Sequence, residues 1–239
     1  MKGKLYLFPT PLGENEDAGH TILPYATKIM HGLDYFIAER ARTARRFIKS
    51  TGPERPISDL TVYELDKHDP AKGLSDFLKP AMEGHDTGLL SEAGCPGVAD
   101  PGARVVKLAH EKGIEVIPLV GPSSLLLALM ASGMNGQSFC FHGYLPNKGN
   151  ELVRELKRLE TLSSKFNQTQ LFIETPYRNK AMIDALLKNL GSSTQMAVAV
   201  NLTLINQEIR SMTIAEWKKV KIPDWHKQPA VFLLYAGKL

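Results

Sequence analysis

Leu89-Leu90-Ser91-Glu92-Ala93-Gly94-Cys95-Pro96-Gly97-Val98-Ala99-Asp100-Pro101-Gly102 is the stretch that decides the fold class of this chain. A short apolar run feeds a loop with three glycines and two prolines. Asp100 is expected to cap a following helix, and Pro101 to take its first position, where a missing N–H costs nothing. Strand, glycine-rich loop and helix in this order suit a ligand site at the C-terminal end of a strand, since glycine lets a ligand approach the backbone closely. Taken alone, the same stretch is also compatible with a tight turn that binds nothing.

Working outward, short apolar runs alternate with amphipathic ones. The pattern predicts strands over 5–8, 35–38, 62–65, 87–90 and 114–120, and helices over 21–31, 43–50, 74–83 and 103–112. Gly113 sits where a helix-stopping glycine is expected. This rhythm indicates a parallel sheet with helices on both faces. Gly121-Pro122-Ser123-Ser124 then opens an apolar helix over 125–131. Strands over 139–141, 171–174, 196–202 and 230–235 and helices over 151–162 and 179–190 follow. Thr213-Ile214-Ala215-Glu216 reads as a capping box. The expected division is an N-terminal α/β domain over 1–120 and a C-terminal one over 121–239.

Composition narrows the class. The chain has 239 residues, 43% of them hydrophobic, and a formal net charge of +4. That is enough chain for a proper core, and the charge permits an anionic partner without demanding one. No apolar run approaches the length of a transmembrane helix. The apolar run at 5–8 is too short for a signal-peptide core and reads as a first strand, so a cytoplasmic protein is expected. Cys95 and Cys140 lack metal spacing and are expected to be reduced, buried thiols. The histidines show no zinc pattern, and no metal site is expected.

Four glycine- and proline-rich loops stand out: Pro9-Thr10-Pro11-Leu12-Gly13, the loop over 91–97, Gly121-Pro122-Ser123-Ser124, and Tyr144-Leu145-Pro146. The first three follow predicted strands at the end where open α/β sheets bind ligands. There is no G-x-G-x-x-G and no Walker loop, which argues against a standard dinucleotide or nucleoside-triphosphate site. Glu39, Glu92 and Glu174 fall at strand ends, where a carboxylate can hold a ribose, meet an amine or move a proton. Arg42, Arg45, Arg46 and Lys49 fall at i, i+3, i+4 and i+7, one stripe of a helix. Such a stripe is either a solvated face or a phosphate-neutralising one.

These motifs together resemble the tetrapyrrole methylase superfamily of S-adenosylmethionine-dependent methyltransferases. Within it the chain is most similar to the branch that methylates a cytidine ribose 2′-hydroxyl of small-subunit ribosomal RNA. The resemblance spans nearly the whole chain. Its anchors are Tyr6-Leu7-Phe8-Pro9-Thr10-Pro11-Leu12-Gly13, Ala38-Glu39, Ser91-Glu92-Ala93-Gly94-Cys95-Pro96 with Asp100-Pro101-Gly102, Pro118-Leu119-Val120-Gly121-Pro122-Ser123-Ser124, Gly143-Tyr144-Leu145-Pro146, and Phe172-Ile173-Glu174-Thr175-Pro176-Tyr177-Arg178. The resemblance implies two α/β domains, a parallel N-terminal sheet and a mixed C-terminal sheet, with the cofactor in the cleft between them, and a homodimer. It implies S-adenosyl-L-methionine as cofactor, held by Pro11, Leu12, Gly13, Ser91, Glu92, Ala93, Gly94, Pro96, Val98, Gly121, Ser123, Ser124, Tyr144, Leu145, Glu174 and Thr175. Glu39 and Arg42 are the implied catalytic pair, and Arg42, Arg45, Arg46 and Lys49 the implied contact to ribosomal RNA.

The chain departs from the branch's pattern at several places. An acid after the Ala-Glu pair has become Arg40. An Arg-Glu pair late in the chain has become Val200-Asn201. Only His68-Asp69 remains of a His-Asp-His-Asn-like loop, and Glu92 stands for an aspartate. Two other readings therefore stay open: a methyltransferase for a small, tetrapyrrole-like molecule, and a non-catalytic cofactor-binding protein associated with RNA.

Overall fold

The computed structural model describes residues 1–13, 18–66, 73–147 and 149–238. His68-Asp69 falls outside the described residues. The chain divides into two compact units, Met1–Ser123 and Ser124–Leu239. Among the described residues, no helix is long and apolar enough to cross a membrane.

The first unit runs β1 (Lys4–Phe8), α1 (Ala18–Thr21), α2 (Pro24–His31), β2 (Tyr35–Ala38), α3 (Ala41–Ser50), β3 (Thr61–Glu64), α4 (Leu74–Phe77), α5 (Lys79–Met82), β4 (Thr87–Leu90), α6 (Ala103–Glu111) and β5 (Glu115–Pro118). Its five strands lie in the order β3-β2-β4-β1-β5, and every pairing is parallel. Side chains alternate across the sheet, so each face has its own core. Leu5, Ile37 and Leu89 pack with Val105 and Ala109 on one face; Phe8, Phe36 and Leu90 pack with Met30 and Ile48 on the other. Burial on both faces is why β2, Tyr35-Phe36-Ile37-Ala38, reads as an unbroken apolar run. Gly88 in β4 leaves room for two rings: a Cβ there would lie 2.6 Å from Phe36 and 3.0 Å from Phe8.

Two local expectations fail here for physical reasons. The single helix expected over 74–83 is two separate four-residue turns, α4 and α5. Pro80 has no N–H for the carbonyl four residues back and crowds it sterically, so the helix restarts at Lys79. Asp100 does not cap α6 from the neighbouring position. α6 starts at Ala103, and the Asp100 carboxylate instead accepts the N–H groups of Gly97 and Gly102, both at 2.7 Å. It folds the loop back on itself, and Pro101 lies in the resulting turn. Cys95 and Cys140 are half-buried rather than buried. Burial still pushes the Cys95 thiol up from its ordinary range.

The second unit runs α7 (Ser124–Ser132), β6 (Phe139–Tyr144), α8 (Gly149–Phe166), β7 (Thr169–Ile173), α9 (Asn179–Asn189), β8 (Gln195–Val200), β9 (Glu208–Thr213), α10 (Ile214–Trp217) and β10 (Ala230–Tyr235). Its sheet order is β6-β7-β10-β8-β9. β6 and β7 are parallel, whereas β10 runs antiparallel to β7 and β8, and β9 antiparallel to β8. The mixed sheet is thus present. β9 has no counterpart in the sequence reading. Glu208-Ile209-Arg210-Ser211-Met212-Thr213 lacks strict alternation because an edge strand buries little of either face. The capping box forms as read: Thr213 Oγ1 accepts the Glu216 N–H at 3.3 Å and the Thr213 N–H donates to Glu216 Oε2 at 2.8 Å.

Glu160 on α8 ties two elements of this unit. Its Oε1 accepts the Gly191 N–H and the Thr194 hydroxyl, both at 2.6 Å, and its Oε2 faces Lys157 at 3.2 Å. Burial alone would raise this carboxyl, but its hydrogen bonds to Thr194, Gly191 and Lys157 prevail and hold it below the ordinary carboxylate value of 4.5. A lowered folded-state value contributes stability that is present above 4.5 and lost as pH falls through the folded value. We expect Glu160→Gln to cost about 1–2 kcal/mol at neutral pH. In urea melts across a pH series the gap to the parent should close as pH drops below 4.5. A gap independent of pH would contradict the assignment.

Candidate active site

Parallel strands end at a common edge, so the loops after β4, β1 and β5, neighbours in the sheet, leave it side by side. Main-chain bonds join the first two. Thr10 N donates to Gly94 O at 3.0 Å, and Gly94 N donates back to Thr10 O at 3.1 Å. Buried Ser91 reinforces the junction, its hydroxyl donating to Gly94 O at 2.5 Å. Gly94 has φ +75°, and a Cβ on it would lie 3.3 Å from the Leu12 side chain. The loop after β5 is tied in through Cys95, whose Sγ lies 3.4 Å from Pro122 O. Gly121 packs so closely on Pro9 that a side chain there would overlap its ring.

Beside this junction lies a cavity of about 340 Å³ within the first unit. The loop after β1 contributes Thr10, Pro11, Leu12 and Gly13, and the loop after β4 contributes Ser91, Glu92 and Ala93. The facing wall is α3 and its N-cap: Arg40, Thr43, Ala44, Arg46, Phe47 and Ser50. Positions 40, 43, 47 and 50 recur at helical spacing, so one face of α3 looks into the cavity. α3 has no side-chain cap of its own; Glu64, at the end of β3, accepts the Ala41 N–H at 2.8 Å instead. Arg40 Nε stands 3.9 Å from Glu92 Oε2, with both side chains partly exposed. A pair this long and this wet contributes little to stability, about 0–1 kcal/mol. Both groups can therefore turn toward a ligand at small cost.

Six of the residues expected to hold the cofactor surround this cavity: Pro11, Leu12, Gly13, Ser91, Glu92 and Ala93. Gly94 and Pro96 lie behind it, buried, while Val98 is exposed. Gly121 and Ser123 are half-buried in the third loop, and Ser124 opens α7 in the second unit. In that unit Tyr144 is exposed at the end of β6, and Leu145 is a core side chain. Glu174 is buried: its Oε1 accepts from Thr175 N at 2.6 Å, and its Oε2 faces Arg178 at 3.0 Å. Arg178 also donates to Asn147 O at 2.5 Å, so this pair braces the turn after β7. Glu39 is half-buried and Arg42 exposed, and neither lines the cavity.

The basic stripe divides. Arg42, Arg46 and Lys49 are exposed, whereas Arg45 is half-buried and reaches Leu60 O at 3.5 Å. Of the four, only Arg46 lines the cavity. Sequence reading noted Arg40 only as a departure from the family pattern and missed Thr43, Phe47 and Ser50. The signal was available in their spacing from the N-cap, but the charged stripe beside them drew the assignment. Among the described residues, no group of His, Cys, Asp and Glu is gathered as a metal site would require.

Residues 27–218 match the family model described as Tetrapyrrole (Corrin/Porphyrin) Methylases. Among similar proteins, "Ribosomal RNA small subunit methyltransferase I" of Bacillus subtilis is 33% identical over 214 residues, 90% of this chain and 68% of the relative. The protein of that name from Escherichia coli O157:H7 is 29% identical over 90% of this chain and 71% of its own length. The one from Haemophilus influenzae is 27% identical over 100% of this chain and 80% of its own. The crystal structure of the methyltransferase CobJ has the same fold, with a TM-score of 0.63 at 19% identity, over 98% of this chain and 94% of that one.

The left-handed backbone at Gly94 sets a limit on how the loop can be probed. Gly94→Val forces a β-branched residue into φ +75°, at a cost of about 1–3 kcal/mol. Exposed Ala93, which lines the cavity at ordinary φ, should accept valine with a change within about 0.5 kcal/mol. Thermal melts of the two variants test this; equal losses would show that the junction does not depend on the glycine.

Proposed function

The chain belongs to the tetrapyrrole (corrin/porphyrin) methylase family of methyltransferases, and on that premise we propose that it transfers a methyl group from S-adenosylmethionine to a ribose 2′-hydroxyl of small-subunit ribosomal RNA. The observation that carries this reading is the asymmetry of the cavity. One wall is the two glycine- and proline-bearing loops, with Glu92 their one charged side chain; the other bears Arg40 and Arg46. A close-packed wall of loop backbone with one carboxylate suits a cofactor met by main-chain groups and a ribose acceptor, and a cationic wall suits a phosphodiester. The relatives' names, ribosomal RNA small subunit methyltransferase I, support the same substrate.

The residues present fit such a cofactor. At about 340 Å³ the cavity is near the lower end of small-molecule sites, roughly 300–1,000 Å³. That is room for part of the cofactor. Leu12, Ala93 and Phe47 offer apolar contact to a base, and the Glu92 carboxylate offers an acceptor for ribose hydroxyls or an amine. In the second unit Leu145 is packed into the core and Glu174 is ion-paired, so we assign their main chain, with that of Tyr144 and Thr175, to the cofactor.

When bound, the cofactor supplies an electrophilic methyl on a sulfonium. The protein's task is to align acceptor and methyl and to keep water out, which is mostly positioning. A ribose hydroxyl is a weak nucleophile and gains from a nearby base or a polarising cation. We assign these roles to Glu39, at the end of β2, and Arg42, in the first turn of α3. The exposed cations Arg42, Arg46 and Lys49, with Arg40, hold the phosphates. We also propose a homodimer in the cytoplasm, for which sedimentation at micromolar concentration is the check.

Labelled S-adenosylmethionine incubated with small ribosomal subunits should place label in RNA, on a ribose 2′-oxygen. Label only in a corrinoid or porphyrin, or none at all, would overturn the reading. Arg46→Ala should lower the salt slope of RNA affinity by about 0.7–0.9 for its phosphate and leave cofactor affinity unchanged. A slope equal to the parent's would show that the α3 wall is only solvated.

A further inference from the structure

The turn after β7 carries an aromatic ring for which the proposed reaction has no use. Tyr177 is 67% exposed. Lys227 Nζ stands 5.6 Å from its centroid, and the His226 ring meets it edge-on at 5.8 Å. These neighbours come from a distant segment that the main chain holds in place. Lys227 N donates to Pro176 O at 3.0 Å. Asn179, 1% exposed, donates its amide to Trp225 O at 2.9 Å and to Gln228 O at 2.7 Å. Between those two anchors Lys227 is in the left-handed region, φ 61°. Lysine has no local side-chain bond to favour that conformation, unlike asparagine or aspartate. The anchors hold it there, and the result is an ammonium set over a tyrosine ring.

Exposed aromatic rings with adjacent cations are what unpaired nucleobases stack upon. Every base offers a π-face, and the cations meet the phosphates that flank it. We propose that Tyr177, with His226 and Lys227, is a stacking platform for one unpaired base of the RNA substrate. The proposal rests on the RNA reading above and adds to it a contact that lies wholly in the second unit. Tyr177 lies two residues beyond Thr175, one of the residues assigned to the cofactor. Arg178 does not compete for the ring, since Glu174 and Asn147 engage it. Asp224, the nearby acid, accepts the main-chain N–H of His226 at 3.0 Å.

The experiment measures affinity for a fluorescent single-stranded fragment of small-subunit ribosomal RNA, at one fixed salt concentration. Tyr177→Ala should weaken binding between about 5- and 150-fold, the range of one lost base stack. Tyr177→Phe should stay within about twofold of the parent, because stacking needs the ring and not the hydroxyl. Tyr177→Leu keeps apolar bulk on the turn and should bind as weakly as Tyr177→Ala, which separates stacking from turn integrity. Calorimetry with S-adenosylmethionine should give the parent's affinity for all three. Tyr177→Ala or Tyr177→Leu binding RNA like the parent, while the parent methylates RNA, would overturn the platform alone. A parent that neither binds nor methylates RNA would overturn the functional reading and the platform with it.

Discussion

Everything proposed for the first unit depends on the reciprocal pair of main-chain hydrogen bonds between Thr10 and Gly94. Loops at the end of a parallel sheet carry unpaired backbone groups, and most such loops leave them to solvent. Here two loops satisfy each other, and buried Ser91 completes the junction from inside. That converts two separate turns into one rigid floor. Gly94 accepts the left-handed backbone the geometry requires, and Leu12 closes over it. The cavity forms because this floor cannot collapse toward α3, whose Phe47 and Ala44 stand on the other side.

The second unit uses a comparable device with side chains. Buried Glu174 holds Arg178, Arg178 reaches Asn147, and Asn179 pins the segment over 224–229. A buried carboxylate without a partner would be expensive, so this pair is held together by the cost of breaking it more than by what it adds. The turn is thus stiff enough to keep an exposed ring at a fixed position, which a mobile loop would not do.

Much of the fold was legible because its strands are buried on both faces. Tyr35–Ala38 and Ala230–Tyr235 are continuous apolar runs, and these two and Thr87–Leu90 have the boundaries read from sequence. What escaped reading was set by tertiary context. β9 is a strand only because β8 offers it a full ladder. The split between α4 and α5 follows from a single proline inside an otherwise helical pattern. The site was legible at its loops and not at its helix. Charge made Arg42, Arg45, Arg46 and Lys49 conspicuous, but a charged stripe marks the solvent side of a helix first. The face toward the cavity is quieter: Thr43, Phe47 and Ser50, with Arg40 before the first turn.

The positions where the chain departs from the ribosomal RNA branch's pattern bear on the same point. Val200 is fully buried in β8, paired with Ala230. A charge at that position, in this packing, would have no partner and a large desolvation cost. Asn201 has a left-handed backbone, φ 49°, which asparagine tolerates well. Its amide donates to Gln228 Oε1 at 2.7 Å, and its N–H to Pro229 O at 3.0 Å. Gln228 also accepts from Asn179. Asn201 therefore braces the segment that sets Lys227 over Tyr177. Arg40, where the resemblance sets an acid, is a cation that lines the cavity. Charge has not simply been removed from this chain. It is absent where β8 now packs tightly, and it is present as positive charge at the two places that face a phosphodiester in the proposed reading.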